Sequence, residues 1–163
     1  MPKKDELRKK DIQKISTVLE KEYPVDFAQF IASNKLFKSD ITIKDRLITL
    51  FHTSDNTPLL FEENGALLPT LYSIRKFPDL LPKITVDAGA VKFMINGADL
   101  FRPGMVEWDQ FKKDDYVTII NLQKAAMSVG KTLLASDELP DKGKVTITLH
   151  YLNDDIWKYA QTG

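Results

Sequence analysis

Asp87-Ala88-Gly89-Ala90-Val91-Lys92-Phe93-Met94-Ile95-Asn96-Gly97-Ala98-Asp99-Leu100-Phe101-Arg102-Pro103-Gly104 is the densest unusual segment of the chain. Asp87 is a helix cap, and Asn96-Gly97 closes the short helix that follows. Gly97 suits a positive φ, an edge strand fits Ala98 to Phe101, and Pro103-Gly104 makes a turn. That structural reading outranks a functional one on pattern alone. The functional reading is a backbone-lined cleft: the small residues Gly97 and Ala98 let another backbone approach, Lys92 and Arg102 lie beside it, and Phe101 packs or stacks.

Working outward, the spacing predicts strands at Lys83 to Val86, Met105 to Trp108, Tyr116 to Leu122, Ala126 to Leu134 and Lys144 to Leu152, with a short helix after Ser136. Glycines 89, 97, 104, 130 and 143 punctuate this second half, as a small β-rich barrel with tight turns requires. Gly130 reads as a strand glycine or bulge. Upstream, Lys3 to Glu22 has helical periodicity through Leu7, Ile12, Ile15, Val18 and Leu19, and Pro24 ends it. Val25 to Ala32 predicts a second short helix. Beyond Asn34 the period shortens to two, with strands around Ile41, Ile43, Leu47, Ile48, Leu50 and Phe51, and Leu59-Leu60-Phe61 runs into an Asn64-Gly65 turn. Leu67 to Pro82 is a connector punctuated by prolines, with a helix after the cap Thr70. The domain boundary is expected there, giving residues 1–81 and 82–163.

The chain has 163 residues, 43% of them hydrophobic, so it can bury a sizeable core. It has no cysteine, which excludes disulfides, thiolate zinc sites and a cysteine nucleophile. The start, Met1-Pro2-Lys3-Lys4-Asp5-Glu6, has no apolar core of a secretory signal, and no apolar run reaches the ~20 residues of a membrane span. A soluble, cytoplasmic protein is expected. Lys and Arg equal Asp and Glu at 23 each, which argues against an indiscriminate polyanion binder. Within the second half, however, the signs separate. Cations gather in 83–102, 116–136 and 142–152, and acids in 107–115, 137–141 and 153–158.

Catalytic chemistry is poorly supplied. His52 and His150 are the only histidines, and both sit in strand-like apolar stretches, where a structural histidine is the first expectation. Asp114-Asp115 and Asp154-Asp155 are adjacent turn pairs that cap or solvate rather than hold a metal. Val129-Gly130-Lys131-Thr132 ends like a phosphate loop but lacks its first glycine. No enzyme activity, cofactor or metal is expected.

Val86-Asp87-x-Gly89-Ala90-Val91-Lys92-Phe93-x-x-Asn96-Gly97-Ala98-Asp99-x-x-x-Pro103-Gly104 resembles the opening of a PUA domain, an RNA-binding pseudo-barrel. Ala126-x-x-Val129-Gly130, Lys142-Gly143-Lys144 and His150-Tyr151-Leu152-Asn153-Asp154-x-x-Trp157 are similar to its closing strands. That ending, and the upstream Leu68-Pro69-Thr70-Leu71, Lys76-Phe77-Pro78 and Leu81-Pro82, resemble the malignant-T-cell-amplified-sequence family, above all its short archaeal members. The resemblance implies an α+β chain: an N-terminal α/β pre-PUA domain followed by a C-terminal β-rich PUA pseudo-barrel. It implies RNA as the partner, a tRNA acceptor end or rRNA, and a role at the small ribosomal subunit in initiation or recycling, with a density-regulated-protein-like partner conceivable. Carried over residue by residue, the RNA-binding surface is Lys92, Asn96, Gly97, Ala98, Asp99, Leu100, Phe101, Arg102, Pro103, Gly104, His150 and Tyr151, with Lys131 on a neighbouring strand. Two departures stand out. The cysteines of the animal members are missing, and Phe101-Arg102 stands where apolar or small residues are common. The alternatives are an RNA-targeting subunit of a tRNA- or rRNA-modifying enzyme, and a protein-interaction scaffold with weak RNA affinity.

Overall fold

In a computed structural model that describes residues 3–161, the chain folds as two sheets with helices set against each. The first sheet is an antiparallel run of β1 (Asp5–Glu6), β2 (Phe37–Ile43), β3 (Arg46–His52), β4 (Pro58–Glu63) and β5 (Ala66–Pro69), in that order. Before it come α1 (Lys9–Glu22) and α2 (Val25–Ala32), and after it α3 (Leu71–Lys76). The helix expected from Lys3 begins only at Lys9, because Asp5 and Glu6 pair with Lys38 and Phe37, and the Leu7 amide donates to the Leu36 carbonyl. Backbone groups that pair with a sheet edge are lost to a helix. The β4–β5 hairpin turns at Asn64-Gly65, both at positive φ (52° and 80°), the conformation an Asn-Gly pair tolerates best.

The second half contains β6 (Lys83–Val86), α4 (Ala88–Met94), β7 (Leu100–Phe101), β8 (Met105–Trp108), β9 (Tyr116–Ile120), β10 (Ala126–Thr132) and β11 (Lys144–Tyr151). Its sheet runs β7-β11-β10-β9-β6-β8. The two outer strands, β7 and β8, are consecutive in the chain and joined by a single 3-10 turn, Arg102–Gly104. Three residues of 3-10 helix rise only about 6 Å, so the sheet must curl until its edges nearly meet. The expected pseudo-barrel follows from that joint. Gly130 lies at the register shift between β10 and β11, as its strand-bulge reading anticipated, and a Cβ there would come within 2.9 Å of the Ile147 carbonyl oxygen. The last described elements are α5 (Asp155–Lys158) and a 3-10 turn, Tyr159–Gln161, which periodicity did not reveal.

Each half has a core, but the boundary is interlocked. Leu19, Phe27 and Ile31 of the helices pack on Ile48, Leu50, Leu60 and Phe61 of the first sheet, and Val129, Ile156 and Tyr159 from the C-terminal half join that cluster. Ile84, Val86, Met94, Leu100, Val117, Ile119 and Val145 fill the barrel. Arg46 forms a bidentate pair with buried Glu63 (2.6 and 3.0 Å) and also donates to the Leu149 carbonyl of β11 (2.8 Å). At the junction the Tyr72 ring of α3 stacks on Trp157 at 4.0 Å, and the Arg75 guanidinium lies 4.6 Å from the same indole.

The C-terminal turn is pinned by His52. Its Nδ1 donates to the Thr53 carbonyl (2.9 Å), so Nε2 accepts, from Ser39 Oγ at 2.9 Å; the Tyr159 hydroxyl in turn donates to Ser39 (2.7 Å). Burial lowers the His52 pKa, and the nearby Lys4 charge adds to this, against the raising effect of the Thr53 carbonyl. The folded state therefore prefers neutral His52. The stability this contributes is complete above the unfolded value of about 6.5 and is lost as pH falls from there toward the lower folded value. Urea unfolding at pH 7 and pH 5 should show the parent losing more stability than His52→Gln; equal losses would contradict the assignment.

Candidate nucleic-acid interface

The candidate site is built around α4. The Asp87 carboxylate accepts from the Ala90 amide (2.8 Å), and the Asp87 amide donates to the Gly104 carbonyl (3.0 Å). These bonds cap the helix and bring the 102–104 turn against its first residues. Gly104 is required there, since a Cβ would lie 2.8 Å from that of Ala90. At the far end the Asn96 side chain donates to the Lys92 carbonyl (3.0 Å), and Gly97 turns the chain at φ +83°. The Tyr151 ring covers Gly97 so closely that a Cβ would sit 2.5 Å from the ring.

β7 is held by Asp99 rather than by a long ladder. The Asp99 carboxylate accepts from the Thr148 amide (2.8 Å) and pairs with Lys144 (2.9 Å), while the Ala98 carbonyl accepts from the Thr148 hydroxyl. Asp99 and Ala98 thus support the site structurally. Leu100 is buried in the barrel core, so only its backbone is on offer. Phe101 is 52% exposed and Pro103 is exposed beside it. Arg102 lays its guanidinium 4.7 Å from the Trp108 ring centre. Neither Arg102 nor Lys92, exposed in the last turn of α4, has an acidic partner among the described residues. An arginine stacked on indole keeps its donor edge free and loses less freedom on binding a phosphate.

Two expected members do not join this surface. His150 is 0% exposed: its Nδ1 donates to Asp154 (2.8 Å), its Nε2 accepts from the Leu71 amide (3.0 Å), and its ring meets Phe61 edge-on. Both ring nitrogens are spent joining β11 to α3, so His150 is a structural staple and not a contact residue. Lys131 pairs across β10 with Tyr116 and Ile147, and alternation along β10 sets it on the side of Val129, which packs with the N-terminal core. It is not gathered with Arg102. Tyr151, in contrast, is half-buried, and its hydroxyl has no hydrogen-bond partner among the described residues.

Three residues at the site escaped the sequence reading: Trp108, Lys144 and Phe93, which is 66% exposed on α4. Trp108 had the clearest signal, an aromatic six positions beyond the arginine on the strand after the Pro-Gly turn. Phe93, Phe101 and Tyr151 give the face aromatic surface, with cations and backbone amides around it. Flat apolar faces beside phosphate donors suit unstacked bases. Gly97→Ala combines a positive φ with a collision against Tyr151 and is expected to cost about 2–3 kcal/mol in urea unfolding. Gly65→Ala, at a similar φ but with no atom within 4 Å of the new Cβ, should cost about 1 kcal/mol. Equal losses would remove the Tyr151 contact from the explanation.

The sequence profile of the PUA domain matches residues 82–152. An uncharacterised protein of Methanocaldococcus jannaschii is 33% identical over 157 residues, which cover 94% of each chain. Translation machinery-associated protein 20 of Schizosaccharomyces pombe is 33% identical over 129 residues, 74% of this chain and 70% of the relative. Malignant T-cell-amplified sequence 1-A of Xenopus laevis is 34% identical over 111 residues, 63% of this chain and 61% of the relative. Among solved structures, a PUA domain from Aeropyrum pernix K1 in a tartrate complex superposes with a TM-score of 0.79 at 24% identity, covering 99% of this chain and 92% of that one.

Proposed function

Since the chain belongs to the PUA-domain family of translation machinery-associated and malignant-T-cell-amplified-sequence proteins, we propose that it is a non-catalytic RNA-binding protein of the cytoplasm. It grips a structured RNA, a tRNA acceptor end or an rRNA stem, and acts at the small ribosomal subunit in initiation or recycling. Residues 82–163 are the PUA domain that carries the contact, and residues 1–81 are a pre-PUA domain that braces it through α3. The observation that supports this reading best is Arg102 stacked on Trp108, without an acidic partner among the described residues, beside the close backbone turns at Gly97 and Gly104. The contact surface is Lys92, Phe93, the backbone of 96–104, Phe101, Arg102 and Tyr151.

The physics is that of a small shaped site in a neutral protein. Phosphate contacts position the RNA, and exposed rings take up splayed bases. With about 2–4 phosphates engaged, log Kobs should fall against log salt with a slope between about −1.5 and −3.5. Anisotropy of labelled tRNA across a salt series tests this. Intact tRNA is expected to bind more tightly than tRNA lacking its single-stranded 3′ end. Absence of binding at low salt would overturn the proposal.

A further inference from the structure

On the other side of α4 lies a second site. Lys83 and Thr85 of β6 pair in parallel with Thr118 and Ile120 of β9, so these four side chains share the outer face of the barrel, while Ile84, Val117 and Ile119 turn into the core. α3 covers only part of that face. The remainder is a cleft of about 1060 Å³, floored by Val91, Ile95, Ile120 and Met127 and edged by Arg75, Glu107 and Lys124. Thr118 lines this cleft and is 1% exposed, and its buried hydroxyl has no hydrogen-bond partner among the described residues. Lys83 is already paired with Asp79, and Asp109 accepts from the Lys83 amide (2.9 Å). Lys124 and Glu107 have no ionic partner among the described residues.

We propose that this cleft binds a single unstacked nucleotide. An apolar floor takes a planar heterocycle, Thr118 and Glu107 meet its polar edge, and Arg75 and Lys124 at the mouth meet its phosphate. An acyl chain would leave the buried Thr118 hydroxyl unsatisfied, and a simple anion would leave the apolar floor unused. The nucleotide has two sources, a free mononucleotide or one residue of an RNA strand, and only the second rests on the function proposed above. The two sites occupy neighbouring stripes of α4, Val91 and Ile95 on one and Lys92 and Asn96 on the other.

The test titrates the full chain with AMP, CMP, GMP and UMP, and with the four ribohomotrinucleotides, following backbone amide signals. At least one nucleotide is expected to shift the amides of Thr118, Ile120 and Lys124. Ala125→Trp, which fills the cleft from its exposed rim, should abolish those shifts. Lys124→Glu should weaken binding at least fivefold. Thr118→Val should weaken it about tenfold without lowering thermal stability, since the lost hydroxyl had no partner in the folded chain. A trinucleotide at least tenfold tighter than its mononucleotide assigns the source to a strand, and equal affinity assigns it to the free nucleotide. Failure of all eight probes to move these amides, or an Ala125→Trp variant that titrates like the parent, overturns the site. Tight binding of structured RNA with no nucleotide in the cleft would remove only this site; nucleotide binding by a chain that ignores structured RNA would remove only the proposed function.

Discussion

The double variant Lys92→Ala with Arg102→Ala is expected to bind tRNA about sixty- to several-hundred-fold more weakly at low salt, with its fold intact. Lys92 is exposed and Arg102 half-buried, and neither has an acidic partner among the described residues, so their removal strands no buried charge. Arg102 carries the larger share. A guanidinium resting on Trp108 presents two parallel N–H donors to a phosphate, worth about 1.5–3 kcal/mol as a charge-assisted pair. Lys92 is a point charge on a flexible stem and supplies about 1 kcal/mol. Loss of the two should also flatten the salt slope by about 1–2. Arg102→Lys separates charge from geometry: it keeps the slope but loses most of the affinity if the planar fork matters. Unchanged affinity in the double variant would place the RNA elsewhere on the molecule.

The second large effect lies in folding. Asp154 is buried, and its carboxylate accepts from three donors: His150 Nδ1 (2.8 Å), the Tyr151 amide (2.8 Å) and the Trp157 amide (2.8 Å). One side chain therefore closes the turn after β11, caps α5 and orients the histidine that takes the Leu71 amide of α3. Asp154→Ala leaves those donors buried without an acceptor and is expected to cost about 3–5 kcal/mol in urea unfolding. For a chain of this size the melting temperature should fall by roughly 10 °C or more. His150→Ala should lose a comparable amount through the same network, so the double variant should cost far less than the two losses added. A loss below about 1 kcal/mol for Asp154→Ala would show that the junction does not depend on it.

Much of the architecture was legible because local chemistry and tertiary context agree. The Asn64-Gly65 turn, the caps at Thr70 and Asp87, and Gly97 each need a local geometry that few residues supply, and each adopts it, while Gly130 supplies the missing Cβ that the register shift in β10 requires. Boundaries were misread where the partner was remote. Asp5 and Glu6 look helical by period, but a strand thirty residues away takes their backbone groups. α5 is too short for periodicity to register, although its cap was visible in Asp154-Asp155.

Of the residues named for the candidate surface, two, His150 and Lys131, lie away from Arg102, and His150 is the instructive one. Position in a motif put His150 on the binding face, while its own apolar neighbourhood, Ile-Thr-Leu-His-Tyr, already pointed inward. The physical reading of that residue was the better guide. Arg102 was readable as a cation at a Pro-Gly turn, but not that it lies on Trp108, because that contact is made by the closing of the barrel. Nor does a linear charge count reveal that Asp99 neutralises Lys144, while Arg102 and Lys92 have no acidic partner among the described residues.

The most direct measurement is a titration of isotopically labelled protein with a tRNA acceptor minihelix bearing its 3′ end. Amide shifts are expected to concentrate in Lys92 to Gly104 and at Tyr151, with the Trp108 indole signal moving in step, while the amides around Lys131 and on the β2–β3 hairpin stay still. Shifts centred on the first sheet, with 92–104 unmoved, would contradict the assignment of RNA binding to this face.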